Sequence, residues 1–591
     1  MKFGRSSRRR SLFAMVALLA LVSVFVVRLV DIQIVRADEL NAASLAARST
    51  TEDILGARGS IVDSSGKVLA QSVMRYDVVI SPKNAKPFER EVDGKDTTVS
   101  VAQASAELGR ALGMSGESVQ AIIADSLKDD PDSDYAYVKK MVDLATWQAV
   151  DALDIQWVYG EGHPSRTYPD GAVAGNIVGF VGDDGEALAG EEAAADKCLV
   201  GKDGSTSYQT GVDGVEIPGS TTESVAAKNG GTLKLTIDSD LQWNVQQSLA
   251  QQAQAVGAAW GTAVVQEVKT GKLVAVADYP SVDPNNIDAT DAEDRGSRAF
   301  TASYEPGSTF KALTAASAID AGVADPLSQV VAPYRINFPN GADINDSEYH
   351  GDENLTLTGV LIESSNTGMS QIGEKMTDQQ RYDYYKKFGL GTETEADFPA
   401  QDPGNLNGTP DSWDPQTKYA TMFGQGLTTT AVQIASVYQT IANGGVRMPV
   451  QLVEGCTQED GTVTDVPSTQ GEQVVSATAA KQTSDILEMV YQQGWLANVW
   501  NIPGYRVASK TGTAQMPDGN GGYSHGYLVS VSGFAPADDP QYVVSVSLAD
   551  PVNMNTSGAA APIFKQVMSQ VLKKYRVVPT DTAATQLPAN W

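Results

Sequence analysis

Residues 12–27, LFAMVALLALVSVFVV, carry no charge. Arg28 interrupts the run, and Leu29 and Val30 extend it. With Arg28 snorkelling to the interface, 12–30 is long enough for a tight transmembrane helix. Lys2, Arg5, Arg8, Arg9 and Arg10 precede it with no acid among them. Such a basic flank stays inside, so residues 1–11 read as a cytoplasmic tail and everything beyond about residue 31 as exported, in the manner of a single-pass protein of the cell membrane. A cleaved signal peptide is the rival. The small residues Ala42-Ala43-Ser44 lie too far from the run to serve it, and no cysteine follows for lipidation. The expectation is an uncleaved anchor.

The charge limits the partners. The chain of 591 residues has 43 basic and 72 acidic residues; setting aside the five N-terminal cations and Arg28 leaves 37 basic ones outside. So acidic a surface repels phosphate backbones, which argues against nucleic acid. His163, His350 and His525 form no ligand spacing, so no metal is expected. Cys198 and Cys456 stand far apart, in what read as different domains. The expectation is two unpaired cysteines, with a disulfide left open on the outside.

Two halves follow the anchor. In the first, 31–229, ARGSIVDSSGKVLA (57–70) reads as two strands around a turn at Asp63–Gly66, and 72–82 as another strand. Residues 99–155 read as mostly helical, and 183–230, rich in Gly, Ser, Thr and acid, as loops and an arm. In the second, 230–578, the runs 262–268 and 273–279 flank Lys269–Lys272 as a hairpin. Helices are expected at 308–321 and 431–443, strands at 505–509, 527–535 and 542–550, and a final helix at 562–575. This is an α+β, multidomain pattern, with the second half an antiparallel sheet flanked by helices. The tail from 579 reads as disordered.

The chemistry lies in three short stretches. EPGSTFKALTAA (305–316) places Ser308 before a helix and Lys311 one turn on. A serine there is commonly just a cap. A nucleophile, however, needs a base within reach, and on a helix i and i+3 share a face. ESSNTGMSQIG (363–373) offers Ser364 and Asn366, which by themselves read as a polar helix start. VASKTGTAQ (507–515) puts Lys510, Thr511, Gly512 and Thr513 at a strand end, where glycine admits a ligand to the backbone. Each outer motif has a decoy. Ser64-Ser65-Gly66-Lys67 sits in a turn with no helix to align the pair, and Lys269-Thr270-Gly271 sits at a hairpin tip, before the serine. Only one set runs Ser-x-x-Lys, Ser-x-Asn, Lys-Thr-Gly in order.

That ordered set is the pattern of penicillin-binding proteins and class A β-lactamases. The chain resembles a class B penicillin-binding protein, a monofunctional peptidoglycan D,D-transpeptidase. RGSIVDSSGKVLA and RTYPDGAVAGNIVG carry the likeness in the first half; EPGSTFK, SSN, NGG (443–445), KTGTAQ and GFAPA (533–537) carry it in the second. The anchor followed by RLVDIQIVRADEL looks most like the FtsI-like division branch. The resemblance implies a pedestal or dimerisation domain (31–229) and a transpeptidase domain (230–578) acting on the D-Ala-D-Ala end of a stem peptide. Ser308 would be the nucleophile and Lys311 its base. Neutralising a lysine at pH 7 takes roughly 4.6 kcal/mol, supplied by burial and by Lys510. Ser364 would relay a proton to the leaving amine. Asn366 would hold the peptide amide, and Thr511 and Thr513 the terminal carboxylate, beside Gly512. The N–H groups of Ser308 and Thr513 would form an oxyanion hole, each donor worth about 3 kcal/mol. β-Lactams would acylate Ser308. No cofactor is implied. The implied partners are lipid-linked or nascent glycan strands, a SEDS-type glycosyltransferase and division-complex proteins.

There are departures. The family's Thr-Pro-x-Gln is Thr430-Ala431-Val432-Gln433 here, its Ser-Phe is Ser530-Val531, and 186–216 looks expanded. The rival functions fit less well. A class A β-lactamase needs a Glu-x-x-x-Asn for its water, and none occurs between 366 and 510. A D-Ala carboxypeptidase shares every motif. An elongation-type transpeptidase shares the architecture. A bifunctional synthase would show a glycosyltransferase motif, and a β-lactam sensor more membrane helices. An inert scaffold would have lost a motif residue.

Overall fold

The computed structural model describes residues 5–92, 94–182, 185–211, 217–221, 223–517 and 522–591. Lys2 lies outside them, as do 212–216 of the stretch 186–216. The chain divides into two compact units, 1–57 with 201–229, and 58–200 with 230–591.

In the first unit, α1 (Arg5–Val30) is followed by a π-helical turn over Asp31–Val35 and a helix over Ala37–Arg48. Within Arg8–Val35 an 18-residue window reaches a mean hydropathy of 2.7, and none of that window is buried inside the protein, as a membrane-crossing helix should be. Arg28 is offset by Asp31, 2.6 Å away. Ser49–Ile54, Gly204–Gln209 and Glu223–Val225 then form a three-stranded antiparallel sheet. Two of these strands lie in the stretch read from composition as loops. Alternating Ser and Thr pair across the sheet there, as Thr51 does with Ser207 at 2.9 Å.

Among the described residues the second unit contains two large sheets and four two-stranded ones. One mixes the halves of the sequence. Val463–Thr464, Val453–Thr457, Thr232–Leu235, Ile61–Val62, Val68–Ile80 and Ala136–Val142 neighbour in that order, and Val158–Thr167 also pairs with Val68–Ile80. Ile61–Val62 runs parallel to Leu233–Lys234. The strands expected at 57–70 and 72–82 are thus partly one long strand. Helices Val101–Leu112, Gly116–Asp129 and Leu144–Asp151 pack on it, interrupted by Ala136–Val142 where helix was expected.

Cys198 and Cys456 are bonded, correcting the expectation of unpaired cysteines. The reason is the mixed sheet. Cys456 pairs with Leu233, while the carbonyl of Cys198 accepts from Gly231 at 2.8 Å. The decoy turn is structural. Asp63 is buried; its carboxylate accepts from Ser65 and Lys67 and, through Oδ2, from the amide and hydroxyl of Ser239. Burial pushes its pKa up, but these hydrogen bonds outweigh that and bring it down to about 2. Asp63 thereby joins the turn to the start of α2 (Ser239–Val256).

The second sheet is antiparallel throughout. β1 (Trp260–Glu267), β2 (Leu273–Tyr279), β3 (Ala508–Pro517), β4 (Tyr523–Ala535) and β5 (Tyr542–Ala549) lie in the order β2-β1-β5-β4-β3. β3 is therefore an edge. Valines and alanines fill both faces of the central strands. The helices that bear on this sheet and on the site are α3 (Lys311–Asp320), α4 (Leu357–Ile362), α5 (Asn366–Gly373), α6 (Ala431–Ala442), α7 (Ala477–Gln493) and α8 (Ala561–Lys574). α2 and α8 cover one face, and α6 the other, with α3 packed on α7. Every residue of α6 is buried. The Thr-Ala-Val-Gln departure is harmless there. Thr430 and Gln433 still form a capping box, and Ala431 takes the first-turn position where proline is merely tolerated.

The segment 579–591, read as disordered, is seated. Thr580 and Thr582 donate to Asp538, and Ala589 accepts the amide of Thr356 at 2.9 Å. Composition hid these contacts, because their partners lie far off in the chain.

Replacing Cys198 and Cys456 together by alanine is expected to lower stability by about 2–5 kcal/mol, because the bond closes a very long loop. Urea unfolding under oxidising conditions checks this; an unchanged midpoint would count against a stabilising role.

Candidate active site

Ser308 lies in a 3-10 turn, Gly307–Phe310, that leads into α3. In such a turn i and i+3 stack one above the other, so Lys311 follows directly over Ser308. Ser308 does not cap the helix: neither the turn nor α3 has a side-chain cap bond. Its hydroxyl has no hydrogen-bond partner among the described residues, and it is half-buried between fully buried neighbours. The turn is held by its flanks. Gly307 donates to Gly424 at 2.8 Å, and Thr309 Oγ1 to Pro306 O at 2.8 Å. Glu305 accepts from the amide of Gly426 at 2.9 Å and from Tyr523 on β4 at 3.1 Å. Glu305 stands in the EPGSTFK motif, but nothing in the sequence showed its partners.

The middle motif is the junction of two helices. α4 ends at Ile362, and Ser364 takes the left-handed conformation, with φ of 59°. The amide of Ser365 returns to Val360 O at 3.0 Å. This is a Schellman end with serine in the place usually held by glycine. Ser365 then caps α5, accepting from Gly368 N at 2.9 Å. The polar-helix-start reading is therefore right for Ser365, which leaves Ser364 free of capping. Asn366 is the first residue of α5, and its side chain donates to Asn345 O at 3.0 Å.

The two lysines converge on Ser364. Lys311 Nζ donates to the Ser364 carbonyl and approaches its Oγ at 3.3 Å. Lys510 Nζ donates to the same Oγ at 3.0 Å and to Thr511 O at 3.2 Å. Both lysines are 0% exposed. Burial drives Lys311 well below its ordinary pKa, the charge of Lys510 adds to the fall, and Asp346 opposes it. Burial brings Lys510 down to about 7.

Lys510, Thr511, Gly512 and Thr513 lie on β3, paired with Ser532, Val531, Ser530 and Val529 of β4. Thr511 is half-buried and Thr513 exposed. A Cβ on Gly512 would come within 2.4 Å of Ser530 Oγ and 3.1 Å of Thr309 Cγ2. Glycine there lets β3 lie against the turn of Ser308. The Ser-Val departure falls beside it, with Val531 in the core beneath α8. The structure thus brings Ser308, Lys311, Ser364, Lys510 and the Gly512 contact into one place. Sequence reasoning missed Asp346, which is buried and accepts the amides of Asn366 and Thr367. It lies some twenty residues before α5, and no spacing rule points to it. The decoy lysine Lys269 instead reaches Asn443 from its hairpin tip.

Comparison with known proteins agrees with this geometry. Residues 261–569 match the penicillin binding protein transpeptidase domain, and residues 53–235 the penicillin-binding protein dimerisation domain. The penicillin-binding protein PbpB of Mycolicibacterium smegmatis is 31% identical over 95% of this chain and 89% of its own length. The peptidoglycan D,D-transpeptidase FtsI of Escherichia coli is 31% identical over 89% of this chain and 85% of its own. A peptidoglycan synthetase structure from Bifidobacterium adolescentis superposes with a TM-score of 0.72 at 32% identity, covering 92% of this chain and all of that one. Penicillin-binding protein 3 of Mycobacterium tuberculosis, solved with aztreonam, gives 0.68 at 27% identity, covering 91% and 100%. The chain belongs to the penicillin-binding proteins that join a dimerisation domain to a transpeptidase domain.

Proposed function

We propose that this protein is a serine D,D-transpeptidase that cross-links peptidoglycan stem peptides. The observation that carries the reading is the pair of buried lysines meeting at Ser364 beside the turn of Ser308. Ser308 Oγ attacks the carbonyl of the penultimate D-Ala and gives its proton to neutral Lys311. The C–N bond breaks, and the terminal D-Ala leaves with a proton relayed through Ser364, with Lys510 holding that hydroxyl. An acceptor amine then attacks the ester, loses its proton to the same relay, and frees Ser308. Poising Lys510 near 7 suits a group that shares protons at neutral pH.

The open edge of β3 gives an extended stem peptide a strand to pair with. Thr511, Gly512 and Thr513 line that edge for the terminal carboxylate, and Asn366 faces the peptide amide. The N–H groups of Ser308 and Thr513 supply the oxyanion hole. A β-lactam takes the same path and stays as the ester. No cofactor is called for.

The anchor over 12–30 and the basic residues before it support an extracytoplasmic catalytic domain. The Cys198–Cys456 bond fits an oxidising exterior. We read 31–229 as the pedestal or dimerisation domain and 230–578 as the transpeptidase domain. The FtsI and PbpB relatives favour a septal role in cell division, with nascent glycan strands as substrate and a SEDS-type glycosyltransferase and division proteins as partners.

Labelling membranes with fluorescent penicillin tests the nucleophile. Label is expected in wild type and in Ser64→Ala, and none in Ser308→Ala; label surviving in Ser308→Ala would sink the mechanism. Cross-linked product against free D-Ala then separates transfer from hydrolysis.

The lysines also make a stability prediction. Folded Lys510 titrates below an unfolded lysine, so it holds fewer protons folded than unfolded. Its burial therefore costs stability in full below about pH 7, and the cost fades as pH rises from about 7 towards the ordinary lysine value of 10.5. Lys510→Met is expected to abolish labelling yet raise stability at pH 7 by about 1–3 kcal/mol, after the lost hydrogen bonds are counted. Thermal melts at pH 7 and about pH 10 check the sign, the gain shrinking at the higher value.

A further inference from the structure

Asp346 follows the short strand Asp343–Asn345 and is 6% exposed. Its Oδ1 accepts the amides of Asn366 and Thr367, the latter at 2.9 Å. Its Oδ2 accepts the Ser365 hydroxyl at 2.7 Å and lies 3.0 Å from His350 Nε2, with Thr367 Oγ1 farther off at 3.4 Å. A carboxylate has about four acceptor sites, so this one is fully engaged. An anion also suits the first turn of α5. Ser364 is thus fixed from both sides: by the end of α4 before it, and by Asp346 gripping the three residues after it.

His350 clamps Asp346 from behind. Its Nδ1 lies 2.7 Å from Gly351 O, and its Nε2 faces the Asp346 carboxylate. Both partners are acceptors only, and a neutral imidazole can donate from one nitrogen alone. The geometry fits the imidazolium. The charged groups around it are also acidic: Asp346, Glu353 at 4.0 Å and Glu363, with the ring of Tyr334 edge-on at 6.1 Å. Burial works against the charged ring, but the Gly351 carbonyl and Asp346 outweigh it, and its pKa is raised.

We propose that Asp346 is a positioning residue for Ser364 and Asn366, and that the His350 imidazolium screens its negative charge from Lys311. This rests on Lys311 as the base. The pair would do two things. It holds the loop, and it lets Lys311 shed its proton despite a nearby carboxylate, whose charge otherwise favours the ammonium form.

The test is the rate constant for acylation by fluorescent penicillin, measured on the full-length protein in detergent from about pH 5 to 10. The wild-type rate rises with pH as Lys311 deprotonates. His350→Gln removes the screening charge, so its rising limb moves to higher pH, by about half a unit to one unit. Asp346→Asn removes the anion, so its limb moves to lower pH while the plateau falls about tenfold or more from the loosened loop. Opposite displacements support the proposal. A purely structural role would lower both plateaus and leave both limbs in place, and that result overturns it. Should Asp346→Asn not fold, His350→Gln alone decides, since that ring is partly exposed and its loss leaves the fold intact. Failure of the underlying reading looks different: an unlabelled wild type, or a labelled Ser308→Ala, overturns Lys311 as base and this inference with it.

Discussion

Two lysine ammonium groups reach one serine hydroxyl in a place with no water-exposed surface of their own. Like charges in a dry pocket repel, and each loses its hydration. Only a neutral lysine relieves both costs. The chemistry of the site and its cost to stability are therefore one fact. The surroundings must be rigid enough to keep the lysines where they would rather not be. α3 is buried along nearly its whole length, and cores cover both faces of the second sheet.

The three elements that meet there are placed by different physics. Lys311 is fixed by helix geometry relative to Ser308. Lys510 is fixed by strand register, through the pairing of β3 with β4. Ser364 belongs to neither kind of element. It sits where one helix ends in the left-handed region and the next begins, a conformation that costs about 1 kcal/mol or more in a residue other than glycine. Lys311 on its carbonyl and Asp346 on the following turn hold it there.

The first half of the chain is tied to the second by more than sequence continuity. Ile61–Val62 pairs with Thr232–Leu235, Asp63 reaches Ser239, and Cys198 is bonded to Cys456. Residues 58–200 therefore pack into one compact unit with the catalytic half, so the packed units do not follow the division near 230 read from the sequence. A composition shift marks a change in loop content; it does not report which strands pair. The C-terminal segment misled because backbone bonds and the hydroxyls of Thr580 and Thr582 seat it on residues distant in the chain, which composition does not reveal.

The sequence by itself determined the apolar N-terminal helix and the antiparallel pattern of hairpins and helices, and it singled out Ser308, Lys311, Ser364, Asn366 and Lys510 as candidates. Those follow from an uncharged run, alternation, a one-turn spacing and the ordered motifs of the family the chain resembles. The same reading set aside the copies at Ser64 and Lys269, because a turn and a hairpin tip do not align a base with a nucleophile. Only the tertiary structure decided which serine of the middle motif caps and which points at the lysines, that Ser308 caps nothing, that the cysteines pair, and that Asp346 and His350 stand behind the site. Each of these depends on contacts between residues distant in the chain. Burial, strand pairing and the field of one charge on another act through space, and spacing along the chain does not encode them.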